Sequence, residues 1–259
     1  MGPGNPRSFD RYSPAISFPG TGRLRKRPNV DPDLPLAPGG TVTGIVASPR
    51  APGRFTVLVD GRPAHTLGLA ALERLALSVG ATTIGREAAV AREESALRTY
   101  DRAVMMLAAR GRAAKDLERQ LVRKGEPVEF ARLAVDRLAS EGFVDDESFA
   151  RSFVRSKSSG AGLARRRLQQ ELGRKGVERT IADDAIADVF AEEEIDEIAA
   201  ATALAAKRAR SLAGTDRVSA RRRLYAFLAR RGYPPDVISA AIEIAVGENF
   251  NDRFDGESE

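Results

Sequence analysis

The chain of 259 residues carries a formal net charge of +5, is 42% hydrophobic but only 6% aromatic, and has no Trp and no Cys. The missing cysteine excludes disulfides, thiolate metal sites and a cysteine nucleophile, and few aromatics beside abundant Ala and Arg argue against an all-β sandwich. No run approaches the roughly 20 apolar residues that cross a bilayer and no charged-then-apolar leader opens the chain, so a cytoplasmic protein without a membrane role is expected, its positive excess suiting an acidic partner.

Residues 1–40 are rich in Pro and Gly, lack an apolar period and contain the run Arg23-Leu24-Arg25-Lys26-Arg27. A disordered basic tail is expected there. From Thr41 the pattern alternates: Val42 and Ile45-Val46, then Phe55, Val57 and Val59 on one face, predict two strands, with Asp60-Gly61 as a hairpin turn. A third strand near Ala64 to Leu67 and a helix from about Leu69 to Leu77 complete a β-rich module over 41–80, small for an independent fold. Gly85 to Arg110 predicts one long helix, because Ala88, Leu97, Val104 and Leu107 recur among charged residues without an internal Pro or Gly.

Self-comparison exposes the main signal. Leu117, Leu121 and Gly125 match Leu168, Leu172 and Gly176, which match Leu224, Leu228 and Gly232 at identical spacing. Leucines four apart share a helix face, and the glycine four residues later suits the left-handed position that ends a helix. Arg123-Lys124, Arg174-Lys175 and Arg230-Arg231 precede the glycines, where positive charge complements the helix dipole. A second helix follows each glycine, with Pro127 and Pro234 suited to its first turn. Phe130, Ala134, Val135 and Leu138 align with Ile181, Ala185, Ile186 and Val189, and with Val237, Ala241, Ile242 and Ala245, one buried stripe per copy. A further helix precedes each pair: the end of the long helix, Phe149 to Lys157, and about Ile195 to Leu212. Such units bury little alone, so stacked neighbours are expected to form an elongated, curved helical array. Its units run over 85–144, 145–191 and 192–247, followed by an acidic tail at 248–259.

No motif demands catalysis. Asp145, Asp146 and Glu147 invite a metal reading, but adjacent carboxylates before Phe149 suit a helix cap. Glu192, Glu193, Glu194, Asp196 and Glu197 gather at a predicted helix start, where an acidic first turn is commoner than an acid/base pair. His65, the only histidine, lacks a partner for a zinc or Cys/His site and reads as a partly exposed structural residue. Ser158-Ser159-Gly160-Ala161-Gly162 lacks the Lys and Ser or Thr of a phosphate loop and reads as a flexible helix connection. No cofactor is implied.

From about Tyr100 to Val246 the chain resembles the RecX family of regulatory proteins, modulators of the RecA recombinase. The resemblance is carried by LERQLVRKG from Leu117, LASEGFVDDESFARSF from Leu138 and GLARRRLQQELGRKG from Gly162. It implies tandem three-helix units and a non-enzymatic negative regulator of the RecA filament on DNA, damping ATP hydrolysis and strand exchange and so modulating recombinational DNA repair and the SOS response. The residue pattern leaves open a direct DNA-binding module and a general helical adaptor. The arginine triplets Arg165, Arg166, Arg167 and Arg221, Arg222, Arg223 precede the paired leucines. Together with Arg123, Lys124, Arg174, Lys175, Arg230 and Arg231 they are the candidate partner-binding residues of a protein expected to be monomeric.

Overall fold

The structure, a computed structural model, describes residues 39–49, 51–212 and 214–254, with side chains described up to residue 245. The expected disordered tail, including Arg23 to Arg27, falls almost wholly outside the described residues, as do the acidic side chains from Glu248 onward.

Strands β1 (Val42–Ala47), β2 (Arg54–Val59) and β3 (Arg62–Gly68) form an antiparallel sheet in sequential order. Asp60 and Gly61 have φ of 49° and 77°, the two left-handed positions of a tight hairpin turn. Helix α1 (Leu69–Arg74) ends sooner than the apolar pattern suggested, because Ala76 turns left-handed at φ 47° and releases Leu77 into the module core. That core also takes Val90 from the long helix α2 (Glu87–Ala109), which supplies the surface that so small a sheet lacks. Glu94 of α2 reinforces the docking by accepting from Thr66 N at 2.7 Å and lying 3.2 Å from His65 Nδ1. His65 is buried rather than partly exposed, because α2 closes over the strand that carries it.

The remaining helices form three trios. The first is α2 with α3 (Ala114–Arg123) and α4 (Val128–Ser140). The second is α5 (Asp146–Ala161), α6 (Arg165–Lys175) and α7 (Arg179–Glu192), and the third is α8 (Glu197–Arg210), α9 (Arg217–Ala229) and α10 (Pro235–Phe254). The paired leucines of α3, α6 and α9 are all fully buried at the centres of their trios. The segment Ser158 to Ala161 is the last turn of α5 rather than a flexible connection; the chain turns only at Gly162, φ 61°.

One turn recurs at the end of each middle helix. Gly125, Gly176 and Gly232 have φ of 87°, 86° and 91°. The next residue's amide returns to the second leucine's carbonyl: Glu126 to Leu121 at 3.1 Å, Val177 to Leu172 at 3.1 Å and Tyr233 to Leu228 at 3.4 Å. Each glycine amide also reaches the carbonyl three residues back, which completes a Schellman motif. This motif favours an apolar side chain after the glycine, and Val177 and Tyr233 are buried there. In the first trio the same position is Glu126, 5% exposed, held by Thr99 Oγ1 at 2.7 Å and Arg102 at 2.8 Å.

Each trio has a core cluster of its own. The apolar links between trios are small: Ala113 enters the second core and Ala164 the third. A pair of matching staples reinforces them. Asp145 caps α5 by accepting from the amides of Glu147 and Ser148, while its neighbour Asp146 reaches back to accept from Ala114 N, at the start of α3, at 2.8 Å. In the next junction Asp196 caps α8 and its neighbour Glu197 accepts from Arg165 N, at the start of α6, at 3.1 Å. Adjacent acids therefore serve two helices of different trios, which explains why they come in pairs. Glu192, by contrast, ends α7 and pairs with Arg151 and Arg155, so the acidic run divides across a turn.

The cap predicts a pH effect. Hydrogen bonding from the Ser148 side chain, then from the Ser148 and Glu147 amides, holds the Asp145 carboxyl below the usual carboxylate range. A carboxyl depressed in the folded state stabilises above its unfolded pKa and loses that contribution as pH falls through the folded value. Asp145→Ala is expected to lower stability near neutral pH by about 1 kcal/mol. Urea unfolding at neutral and acid pH should show this difference shrinking in acid, and an unchanged difference would remove the cap from the account.

Candidate partner interface

The middle helices α3, α6 and α9 meet their neighbours through the recurring turn. A Cβ at Gly232 would lie 2.6 Å from both N and Cβ of Arg167, and one at Gly176 would lie 2.5 Å from Cβ of Lys115. The turn of each later trio is thus seated on the first turn of the preceding middle helix. Ala164 N donates to Arg231 O at 3.0 Å, and Arg119 donates to Arg174 O at 2.7 Å. A groove opens beside each seat. Between α6 and α9 it has a volume of about 500 Å³ and is lined by Arg166, Arg167, Gln170, Tyr225, Arg230 and neighbouring apolar residues, with no carboxylate. Between α3 and α6 it measures about 410 Å³ and is lined by Asp116, Glu118, Arg119, Val122, Arg123 and Arg174.

The candidate residues divide accordingly. Arg123, Arg174 and Arg230 occupy one repeat position, two residues before the glycine; all are exposed, and all line the grooves. Arg166 and Arg167 face the groove between α6 and α9, where Arg167 pairs with Glu171 at 2.9 Å on its own helix. Arg221, Arg222 and Arg223 are exposed on α9 outside both groove linings and make no ion pair among the described residues. Lys124 is exposed at the end of α3, where its carbonyl accepts from Arg102 at 3.1 Å.

Three candidates are engaged internally. Arg165 sits 4.2 Å over the Phe190 ring and 3.7 Å from Glu197, closing a staple. The Lys175 ammonium lies over both the Phe149 and Phe153 rings, at 5.8 and 5.6 Å. Arg231 stacks 3.8 Å from the Phe227 ring and donates through Nε to Ala161 O at 3.2 Å. Burial pushes its guanidinium below the usual value, and burial followed by the charge of Glu197 pushes Tyr233 up to about 12. Arg231 therefore fastens α9 to the end of α5 from inside the junction. Sequence reasoning missed Gln170 and Tyr225, which no repeat position marks; only the approach of α6 to α9 assigns them to one groove.

Among the described residues, no helix is long and apolar enough to cross a membrane. Comparison with known proteins agrees with the trio pattern: models of the RecX second and third three-helix domains match residues 145–186 and 194–242. The regulatory protein RecX of Amycolatopsis mediterranei is 38% identical over 138 residues, covering 53% of this chain and 77% of that protein. Its counterpart in Mycolicibacterium vanbaalenii is 35% identical over 151 residues, covering 57% and 80%. A crystal structure of a regulatory protein RecX superposes with a TM-score of 0.63 over 77% of this chain and 97% of the other, a likeness of fold at 23% identity. With identity above a third across more than three quarters of these relatives, this chain belongs to the RecX family of regulatory proteins.

Proposed function

We propose that the chain is a negative regulator that binds the RecA filament on DNA and inhibits its ATPase and strand-exchange activities, modulating recombinational DNA repair and the SOS response. It acts by binding, as a cytoplasmic monomer whose units over 85–144, 145–191 and 192–247 engage the filament together. One observation carries the reading beyond family membership: Arg174 and Arg230 come from the same position of successive trios and line successive grooves, with the matching Arg123 beside Arg174. A surface feature that recurs between units suits a partner that itself repeats, because once one contact has formed the next is intramolecular and gains a high effective concentration. A binder that spans adjacent protomers opposes the rearrangements that accompany hydrolysis, since it favours the filament state it contacts best.

The test is a titration of the chain into a single-strand-DNA-dependent RecA ATPase assay. Hydrolysis is expected to fall to a low plateau, and R166E/R230E to need about tenfold more protein for the same inhibition. Arg165 is left intact because its reversal would break the Glu197 staple. Unchanged hydrolysis at saturation would overturn the regulator reading; full inhibition by the variant would overturn only the choice of groove.

A second reading, direct DNA binding, draws on the same exposed arginines, which can contact phosphates. It predicts binding to bare DNA that weakens steeply with salt in the absence of RecA.

A further inference from the structure

We propose that the groove between α6 and α9 is the docking site for a carboxylate-rich peptide segment of the partner. The inference rests on the reading that the chain works through a protein partner. Two facts select this groove. Arg166 and Arg230 make no ion pair among the described residues, and the lining contains no Asp or Glu. Other arginines of the trios are neutralised where they stand: Arg151 by Asp188 and Glu192, Arg155 by Glu192 and Glu193, and Arg137 by Glu141. Arg123, Arg174 and Arg221 to Arg223 are also without an ion pair among the described residues, but Arg123 and Arg174 share their groove with Asp116 and Glu118, and the Arg221 triplet lines neither groove. Only the α6/α9 groove joins unpaired arginines to a lining free of carboxylates, and its volume of about 500 Å³ is in the range of ligand clefts.

The lining fits a peptide better than a nucleic-acid strand. Ala229 and Pro235 offer exposed apolar surface beside the arginines, above the buried Tyr233 and Ile238. Such a cleft accepts an aliphatic side chain beside an acidic one, and guanidinium forks grip carboxylates bidentately. A strand of phosphates is a continuous polyanion, and following the row of Arg230, Arg174 and Arg123 would carry it past Asp116 and Glu118 in the groove between α3 and α6. A short acidic segment needs only the α6/α9 groove and avoids those carboxylates.

The experiment measures fluorescence anisotropy with the full chain and two labelled probes: a dodecapeptide of alternating Glu and Leu, and a thymidine dodecanucleotide. The peptide is expected to bind, to lose about tenfold in affinity with R166E/R230E, and to change little with R123E in the neighbouring groove. All three exchanged arginines are exposed, so the variants are expected to fold, and circular dichroism is the check. Equal peptide binding by R166E/R230E would overturn the proposal. So would tighter binding of the oligonucleotide with the same variant sensitivity, which assigns the groove to nucleic acid. Peptide binding that emerges only after removal of residues 246–259 would likewise overturn it, assigning the groove to the chain's own acidic tail. The RecA ATPase titration separates the two readings: inhibition without peptide binding removes this groove assignment alone, whereas peptide binding without inhibition removes the RecA reading and leaves an acidic-peptide site.

Discussion

Leu172→Ala is expected to cost about 2–5 kcal/mol, because it leaves a cavity in a core whose walls relax only in part. Leu172 is fully buried and belongs to the cluster formed by Phe153, Val154, Leu168, Ile186 and Val189. The loss is expected to concentrate in the second trio. Apolar contact with its neighbours runs through Ala113 and Ala164, and the polar links are the staples of Asp146 and Glu197 with the seated turns. Local openings follow such boundaries between cores. Native-state hydrogen exchange should show α5, α6 and α7 losing protection while α3, α4 and α8 retain most of theirs. An equal loss in every trio would mean one cooperative unit and would defeat the description of separate cores.

Gly232→Ala is expected to destabilise by about 3 kcal/mol, the sum of a strained left-handed alanine and a clash with packed backbone. The first contribution is common to all three turns, whose φ angles differ by only a few degrees. The second depends on the neighbour. A Cβ at Gly232 meets the Arg167 backbone, one at Gly176 meets the Lys115 side chain, and one at Gly125 meets nothing within 4 Å. Gly125→Ala should therefore cost only the conformational part, about 1–2 kcal/mol, with Gly176→Ala close to Gly232→Ala because the atom it meets at 2.5 Å is Lys115 Cβ, which the α3 backbone holds in place. Thermal unfolding of the three variants gives the order directly. If Gly125→Ala were as damaging as Gly232→Ala, the seating of turns on neighbouring helices would contribute nothing. Because the clash lies at a junction, Gly232→Ala is also expected to weaken regulation more than Gly125→Ala does.

The repeat was legible because its constraints are local. Two leucines at helical spacing followed by a left-handed glycine involve one helix and its turn, so identical spacing in three copies implied identical structure. Asp60-Gly61 was legible for the same reason. The end of α1 was not, since the turn at Ala76 is imposed by Leu77 entering the sheet's core. His65 was misjudged because its burial comes from α2, more than 20 residues away.

The sequence by itself determined the helical class, the three-copy repeat with its turns, the absence of cysteine chemistry and, through the resemblance of its motifs, the family. Only the tertiary structure decided which acid of each pair reaches the preceding trio and which cations face a groove. Arg165, Lys175 and Arg231 are engaged by aromatic rings, a carboxylate or a carbonyl, while Arg166 and Arg230 are left unmatched beside Gln170 and Tyr225. The physical reason is distance along the chain. A helix and its cap are set by residues within a turn or two, whereas the fate of an arginine depends on whether a carboxylate or an aromatic ring is brought beside it by a helix tens of residues away.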